Sequence, residues 1–232
     1  MKRFNSLTRM VSCVTRSLLT SMLLILFAMQ SQAKEENLII GHFSEGGLQG
    51  WQEKEFLGTT HYTLVDTQPL SHQGQVLMAH SDHSASGLFK TQRIDLQKTP
   101  ILHWSWQTGS LYSGLNEQTK QGDDFVARIY IVIDGGMFFW KTQAVNYVWS
   151  SSHKKETFWP NPHTKNATMF VVETGEDNLD QWVSYQRNVA SDLKMILGES
   201  VRYIDAIAVM TDSDNAGQQA VTYYGDIYFS AE

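Results

Sequence analysis

The chain has 232 residues, 42% of them hydrophobic and 12% aromatic, a composition too apolar for a disordered polymer. Only 18% are charged and no heptad pattern is sustained, which excludes a coiled coil; with 4 Pro and 16 Gly neither collagen nor a linker fits. The formal charge of −6 argues against a general nucleic-acid binder, and the length suits one large domain.

Residues 1–33 read as an export signal. Lys2, Arg3, Arg9 and Arg16 form a positive start without an acidic residue, residues 18–29 are apolar, and Ser31-Gln32-Ala33 fits a small-x-small cleavage site. Cleavage is expected after Ala33, giving a periplasmic or secreted protein that is not integral to a membrane. The apolar run falls short of the ~20 residues that span a bilayer, and an uncleaved N-terminal anchor is the alternative. The signal takes four basic residues and no acidic one, so residues 34–232 carry a charge of −10. Such acidity favours solubility and disfavours anionic membranes. The only cysteine, Cys13, lies in the signal. Disulfides, thiolate metal sites and a cysteine nucleophile are therefore excluded from the rest.

Residues 34–232 show no repeat and no Pro/Ser linker, and read as a single β-sandwich domain. Strand-like segments, β-branched or aromatic and bounded by turn residues, fall at 60–65, 75–80, 87–94, 101–107, 125–133, 137–149, 168–173, 203–210 and 221–229. The spacing predicts an all-β fold, an antiparallel two-sheet β-sandwich of jelly-roll type. One short helix is expected at 189–197. Val189, Leu193, Ile196 and Leu197 make its apolar face, Asn188 caps its start and Gly198 its end.

The segment 125–133 alternates, with Phe125, Ala127, Ile129, Ile131 and Ile133 on a core face. Asp134-Gly135-Gly136 offers a two-residue hairpin loop. A loop of Gly135-Gly136 sets Arg128 opposite Gln143 and Tyr130 opposite Lys141. A loop of Asp134-Gly135 sets Arg128 against Lys141, a disfavoured like-charge pair. Either register gathers Arg128, Tyr130, Lys141, Gln143, Tyr147 and Trp149 on one face. An odd loop length or a bulge breaks the grouping. That face is either an outer sheet surface or a ligand platform, on which rings stack against sugars while Arg, Lys and Gln donate hydrogen bonds.

Two acidic loops are candidate oxygen-ligand sites for a structural Ca²⁺: Asp123 and Asp124 before the first of these strands, and Asp212 and Asp214 after a later one, with Asp226 as a further ligand. The second loop lacks the spaced acceptor and the Glu of an EF-hand, and a polar loop of Asx turns is its alternative. No resident cofactor is otherwise expected. His80 and His83 are spaced poorly for chelation from a strand. Phe158–Pro160 and the following Asn161, Pro162 and His163 make a stiff aromatic loop, a core plug or a binding rim. No G-x-S-x-G, H-E-x-x-H or Walker sequence is present.

Ser84–Leu88 (SASGL), Leu102–Trp106 (LHWSW), Gly122–Tyr130 (GDDFVARIY), Asn146–Trp149 (NYVW), Arg187-Asn188-Val189, Met210–Asn215 (MTDSDN) and Tyr224–Ile227 (YGDI) occur in an order that resembles the bacterial domain-of-unknown-function family 3047. The resemblance spans roughly Phe43 to Phe229 and implies an exported bacterial protein. The family pattern carries Thr where this chain has Ala216. The opening Gly46–Trp51 and the closing Tyr224–Ile227 are also similar to galactose-binding-like jelly rolls, a likeness of fold that leaves function open.

Three functions are compatible with this sequence. The first is a non-catalytic module that binds a glycan or small polar ligand over Arg128, Tyr130, Lys141, Gln143, Tyr147 and Trp149. The second is a hydrolase or lyase acting on cell-envelope polysaccharide, with the same cations neutralising a uronate. The third is an envelope domain that meets another protein. Ligand identity, catalysis, sheet order and oligomeric state are not encoded in any of these motifs.

Overall fold

Alternation with a period of two governs most of the chain in the computed structural model, which describes residues 37–66, 74–137 and 141–232. The segment expected to be an export signal, with Cys13, lies outside the described residues. Fourteen strands are described: β1 (Leu38–Gly41), β2 (Trp51–Leu57), β3 (His61–Asp66), β4 (Gln75–Asp82), β5 (Ala85–Asp95), β6 (Ile101–Thr108), β7 (Arg128–Ile133), β8 (Gln143–Ser150), β9 (Phe158–Pro160), β10 (Ala167–Thr174), β11 (Val183–Asn188), β12 (Tyr203–Asp212), β13 (Gln219–Tyr224) and β14 (Ile227–Ser230). They form two sheets. The first runs β1-β14-β6-β13-β4-β3 with β11 along β6, and the second runs β2-β5-β12-β7-β8-β10-β9. Pairing is antiparallel except between β8 and β10, which are parallel. The expected all-β sandwich is the fold observed.

The core lies between the sheets. From β6, Leu102, Trp104 and Trp106 point inward; Ile129 and Ile131 come from β7, Val145, Tyr147 and Trp149 from β8, and Ile207 and Val209 from β12. Trp104 stacks on Tyr147 at 5.4 Å and on Tyr185 at 4.9 Å between ring centroids. The segment expected as one strand over 221–229 is two. β13 and β14 follow one another along β6 with a one-residue slip at Gly225-Asp226. Asp226 is held there by the Ser44 N–H (2.8 Å) and hydroxyl (2.5 Å).

The one α-helix among the described residues, α1, spans Val189–Leu197 as its apolar spacing predicts. The Asn188 side chain accepts from the Ser191 N–H, and Gly198 ends the helix in the left-handed region at φ 76°. Val189 and Leu193 are buried, and Ile196 and Leu197 pack at the margin of the core. Buried Asp192 ties the helix to both sheets, accepting from the Tyr147 hydroxyl of β8 (2.7 Å) and from Arg187 Nε of β11 (2.7 Å).

Glu173, at the end of β10, is buried beside Lys155 Nζ at 2.6 Å and accepts from the Tyr185 hydroxyl and the Thr174 N–H. Burial alone would raise its carboxyl. The bonds from Lys155, Tyr185 and Thr174 outweigh that and hold it below the ordinary 4.5. A lowered folded-state value stabilises the protein above the unfolded value, and the gain is lost as pH falls through the folded one. Thermal unfolding between pH 6 and 3 is therefore expected to show a shallower acid loss in Glu173→Gln than in wild type. Parallel acid limbs would refute the assignment.

Candidate functional site

Pairing across the second sheet sets its outward side chains in rows. One row is Lys54, Gly87, Met210 and Arg128; the next is Phe89, Ala208, Tyr130 and Asn146; the third is Thr91, Ala206 and Val132. Gly87, Ala206 and Ala208 have little or no side chain, so the middle of this face is a trough between Phe89, Tyr130 and the exposed ring of Phe56. A cavity of about 380 Å³ fills the trough, with Lys54, Asp134, Thr142 and Asp205 on its rim. A second cavity of about 340 Å³ adjoins it, since Phe56, Tyr130 and Met210 line both. The first is apolar-floored, whereas Asp123, Arg128, Asn146, Asn161, Asp212 and Asp214 surround the second.

Arg128 is only 2% exposed. Its Nε donates to Asp212 Oδ1 (3.0 Å), one terminal nitrogen to Asp212 Oδ2 and the Asp123 carbonyl, and the other to the Tyr130 hydroxyl (3.3 Å). The guanidinium also lies over the Phe125 ring, 4.6 Å from its centroid. Burial disfavours the charge, but Asp212, Tyr130, Asp123 and Asp124 outweigh it and keep Arg128 protonated well above the usual arginine range. Burial raises the Asp123 carboxyl, against the pull of Arg128 and Asn161. Asp123 Oδ2 accepts from Asn161 Nδ2 at 2.7 Å, while its Oδ1 is buried without a partner. Asn146 is also buried. Its amide nitrogen contacts Met169 Sδ at 3.2 Å and its Oδ1 has no partner. Buried acceptors left unpaired are costly, and water, an ion or a ligand ordinarily completes their bonding.

The two acidic loops do meet. Asp124 accepts from the Asn215 N–H (2.7 Å), the Ala216 N–H (2.5 Å) and Asn215 Nδ2 (3.1 Å). The bond at 216 comes from the backbone, so alanine serves there as threonine would. One carboxylate oxygen from each of Asp124, Asp212 and Asp214 lies within 4.8 Å of the others. Burial and then the Asp124 carboxylate raise the carboxyl of Asp214. Asp123 stands outside this trio, engaged with Asn161, and Asp226 is taken by Ser44. His83 turns at φ 51° toward Asp82, 2.6 Å away, so no chelating pair with His80 is built.

The expected shared face of Arg128, Tyr130, Lys141, Gln143, Tyr147 and Trp149 is not formed. Arg128 pairs with Val148, Tyr130 with Asn146 and Ile133 with Gln143. The connection is nine residues, 134–142, not two. Being odd, it reverses the parity of β8, so Tyr147 and Trp149 point into the core with Ile129 and Ile131. Gln143 is half-buried opposite Ile133 and Lys141 is exposed, both at the loop end of the strand pair. Of the six, Arg128 and Tyr130 alone line the groove, and Arg128 does so as a buried, internally bonded group. Phe125 also departs from expectation. It precedes β7 and joins Val148, Trp159, Met169 and Val171 in a small cluster on the outer side of the sheet. Asn161 and His163 of the aromatic loop form part of the cavity wall, while its Trp159 is buried against Phe125, Val148, Met169 and Val171.

A family model described as a protein of unknown function (DUF3047) matches residues 49–228. No curated relative of the sequence was found. Among solved structures, the chain is similar to the family 11 carbohydrate-binding module of the cellulosomal cellulase Lic26A-Cel5E of Clostridium thermocellum, at 10% identity and a TM-score of 0.47 over 86% of this chain and 97% of that one. It is also similar to TmCBM61 in complex with β-1,4-galactotriose, at 14% identity and a TM-score of 0.41 over 85% and 99%. A third is the xyloglucanase domain of NopAA, a type three effector from Sinorhizobium fredii, in complex with cellobiose, at 8% identity and a TM-score of 0.43 over 88% and 100%. Among the described residues, no helix is long and apolar enough to cross a membrane.

Proposed function

The chain belongs to the DUF3047 family, and from the groove itself we propose that it is a non-catalytic module that binds a neutral glycan along the outer face of the second sheet. The observation that carries this reading is the pairing of an apolar-floored trough with a polar chamber that holds unpaired acceptors. A sugar ring has apolar C–H faces and a rim of hydroxyls. The rings of Phe56, Phe89 and Tyr130 suit the faces, and Asn146 and Asp123 suit hydroxyl donors. A uronate fits poorly. The guanidinium of Arg128 is already spent on Asp212, Asp123 and Tyr130, and in the chamber wall three aspartates, Asp123, Asp212 and Asp214, face one histidine, His163. This speaks against the polyuronate hydrolase or lyase reading.

Ala208 is half-buried on the trough floor, between Phe89 and Tyr130. Ala208→Trp is expected to fill the trough and abolish binding without disturbing the fold, and Phe56→Ala to weaken binding about tenfold, the worth of one lost stacking contact. Calorimetric titration with neutral β-glucan, galactan and xylan oligosaccharides reads both. If no oligosaccharide in the panel binds, or if Ala208→Trp binds like wild type, the reading is wrong. Export is part of the same proposal. Sequencing the amino terminus of protein recovered from the periplasm or medium is expected to begin at Lys34.

A further inference from the structure

We propose that His61 and His80 form a site for a divalent transition metal on the outer face of the first sheet. β3 and β4 pair without a bulge from His61↔His80 to Asp66↔Gln75, so the two histidines stand directly opposite each other. Tyr62, Leu64, Leu77 and Ala79 turn toward the core, which leaves His61 and His80 together on the solvent side. His61 is exposed and His80 half-buried. Opposed Cβ atoms of antiparallel strands lie about 4.5–5.5 Å apart. One tetrahedral zinc ion holds two imidazole nitrogens about 3.3 Å apart, a spacing that two rings leaning from such a pair can meet.

A second observation singles out these two rings. Every other described histidine has a polar partner. His42 meets Glu45 at 3.5 Å, His83 meets Asp82 at 2.6 Å, His103 meets Ser230 at 2.7 Å, His153 meets Glu117 at 2.9 Å and His163 lies 4.0 Å from Asp123. The ring nitrogens of His61 and His80 have no hydrogen-bond partner among the described residues. The two unengaged imidazoles are thus the two that face each other. A neutral imidazole offers one nitrogen lone pair, and two of them suit zinc, copper or nickel, whereas calcium and magnesium take oxygen. Asp82 follows His80 by two residues on the same face but is held by His83, and no third His, Cys, Asp or Glu among the described residues groups with the pair. The remaining positions on the ion fall to water, which makes the site an open one. The ion clips the edge strand β3 to β4. It lies on the sheet opposite the groove, so this inference does not depend on the glycan reading.

The test is zinc titration of the chelator-stripped protein, followed by calorimetry and by the histidine ring signals in NMR spectra. The ring signals of His61 and His80 are expected to shift together as one zinc binds. His61→Gln and His80→Gln are each expected to weaken that binding at least about tenfold. Both changes fall on the solvent side of the sheet, so both variants are expected to fold. The double variant is expected to bind no more weakly than either single one, because a lone imidazole does not chelate. His83→Gln is expected to bind zinc like wild type. Copper is expected to displace zinc from the pair, following the usual order of divalent affinities, and calcium and magnesium are not. Unchanged zinc affinity in either single variant would overturn the site, as would losses that add in the double variant, which mark two separate weak ligands. A loss confined to His83→Gln would move the ion to the turn with Asp82, and displacement of zinc by calcium would move it to carboxylates. Either result overturns the proposal.

Discussion

Replacing Asp212 by alanine is expected to destabilise the fold by about 3–5 kcal/mol, the effect of removing one partner from a buried ion pair. Three donors converge on this carboxylate: Arg128 Nε, an Arg128 terminal nitrogen and the Phe125 N–H. Without it the guanidinium keeps hydrogen bonds to the Asp123 carbonyl and the Tyr130 hydroxyl and a longer, 3.9 Å approach to the Asp123 carboxylate, in a setting almost sealed from water. An exposed pair would cost no more than about 1 kcal/mol, so urea unfolding separates the two cases. The double variant Arg128→Met/Asp212→Leu is expected to recover most of the loss, because no charge is then left unpaired. If Asp212→Ala unfolds within 1 kcal/mol of wild type, Arg128 is accessible after all and the groove has a free cation. An Arg128→Ala variant, which a ligand platform would tolerate structurally, is expected to lose stability for the same reason.

The sheet architecture was legible because its main signal is local. Leu102, Trp104 and Trp106 alternate with Ile101, His103 and Ser105, and the helix announces itself by its spacing and its Asn188 and Gly198 caps. Of the edge strands, β3 was expected at 60–65, but β1, β2 and β9 were not. β2 is exposed along six of its seven residues and carries no alternation, and β9 has three residues. The groove was missed with β2, since Phe56 is its wall. The remaining error came from letting a turn motif set register. Asp134 does cap the turn, accepting from the Gly136 N–H at 3.0 Å, but β8 begins only at Gln143. The burial preference of β8 pointed the other way. Val145, Tyr147 and Trp149 share one parity, while Ala144, Asn146 and Ser150 share the other. When a glycine-rich turn and a hydrophobic parity disagree, burial of two large rings outweighs the turn. The meeting of Asp124 with Asp212 and Asp214 could not be read from spacing. Eighty-odd residues separate them, and β12 pairing with β7 brings them together.

The parity of β8 has a direct energetic consequence at Trp149. Truncation to alanine is expected to cost about 3–5 kcal/mol, the range for deleting a large buried ring. The indole is 1% exposed, lies 6.3 Å from the Trp106 ring centroid, and donates its N–H to the Gly175 carbonyl at 3.1 Å. Deletion opens a void in the aromatic core and strands that carbonyl. For a chain of this size each kcal/mol moves the unfolding temperature by about 2–4 °C, so the drop should be roughly 6–20 °C. Trp149→Phe keeps most of the volume but not the hydrogen bond, and should fall between the two. Had the two-residue hairpin set the register, Trp149 would stand on the sheet surface. Its removal would then cost within about 0.5 kcal/mol and would be felt in ligand affinity. The two registers therefore predict opposite patterns, and measuring stability and glycan affinity on the same pair of variants decides between them. A stable Trp149→Ala with impaired binding would return the indole to the ligand face and dismantle the groove built on Asn146.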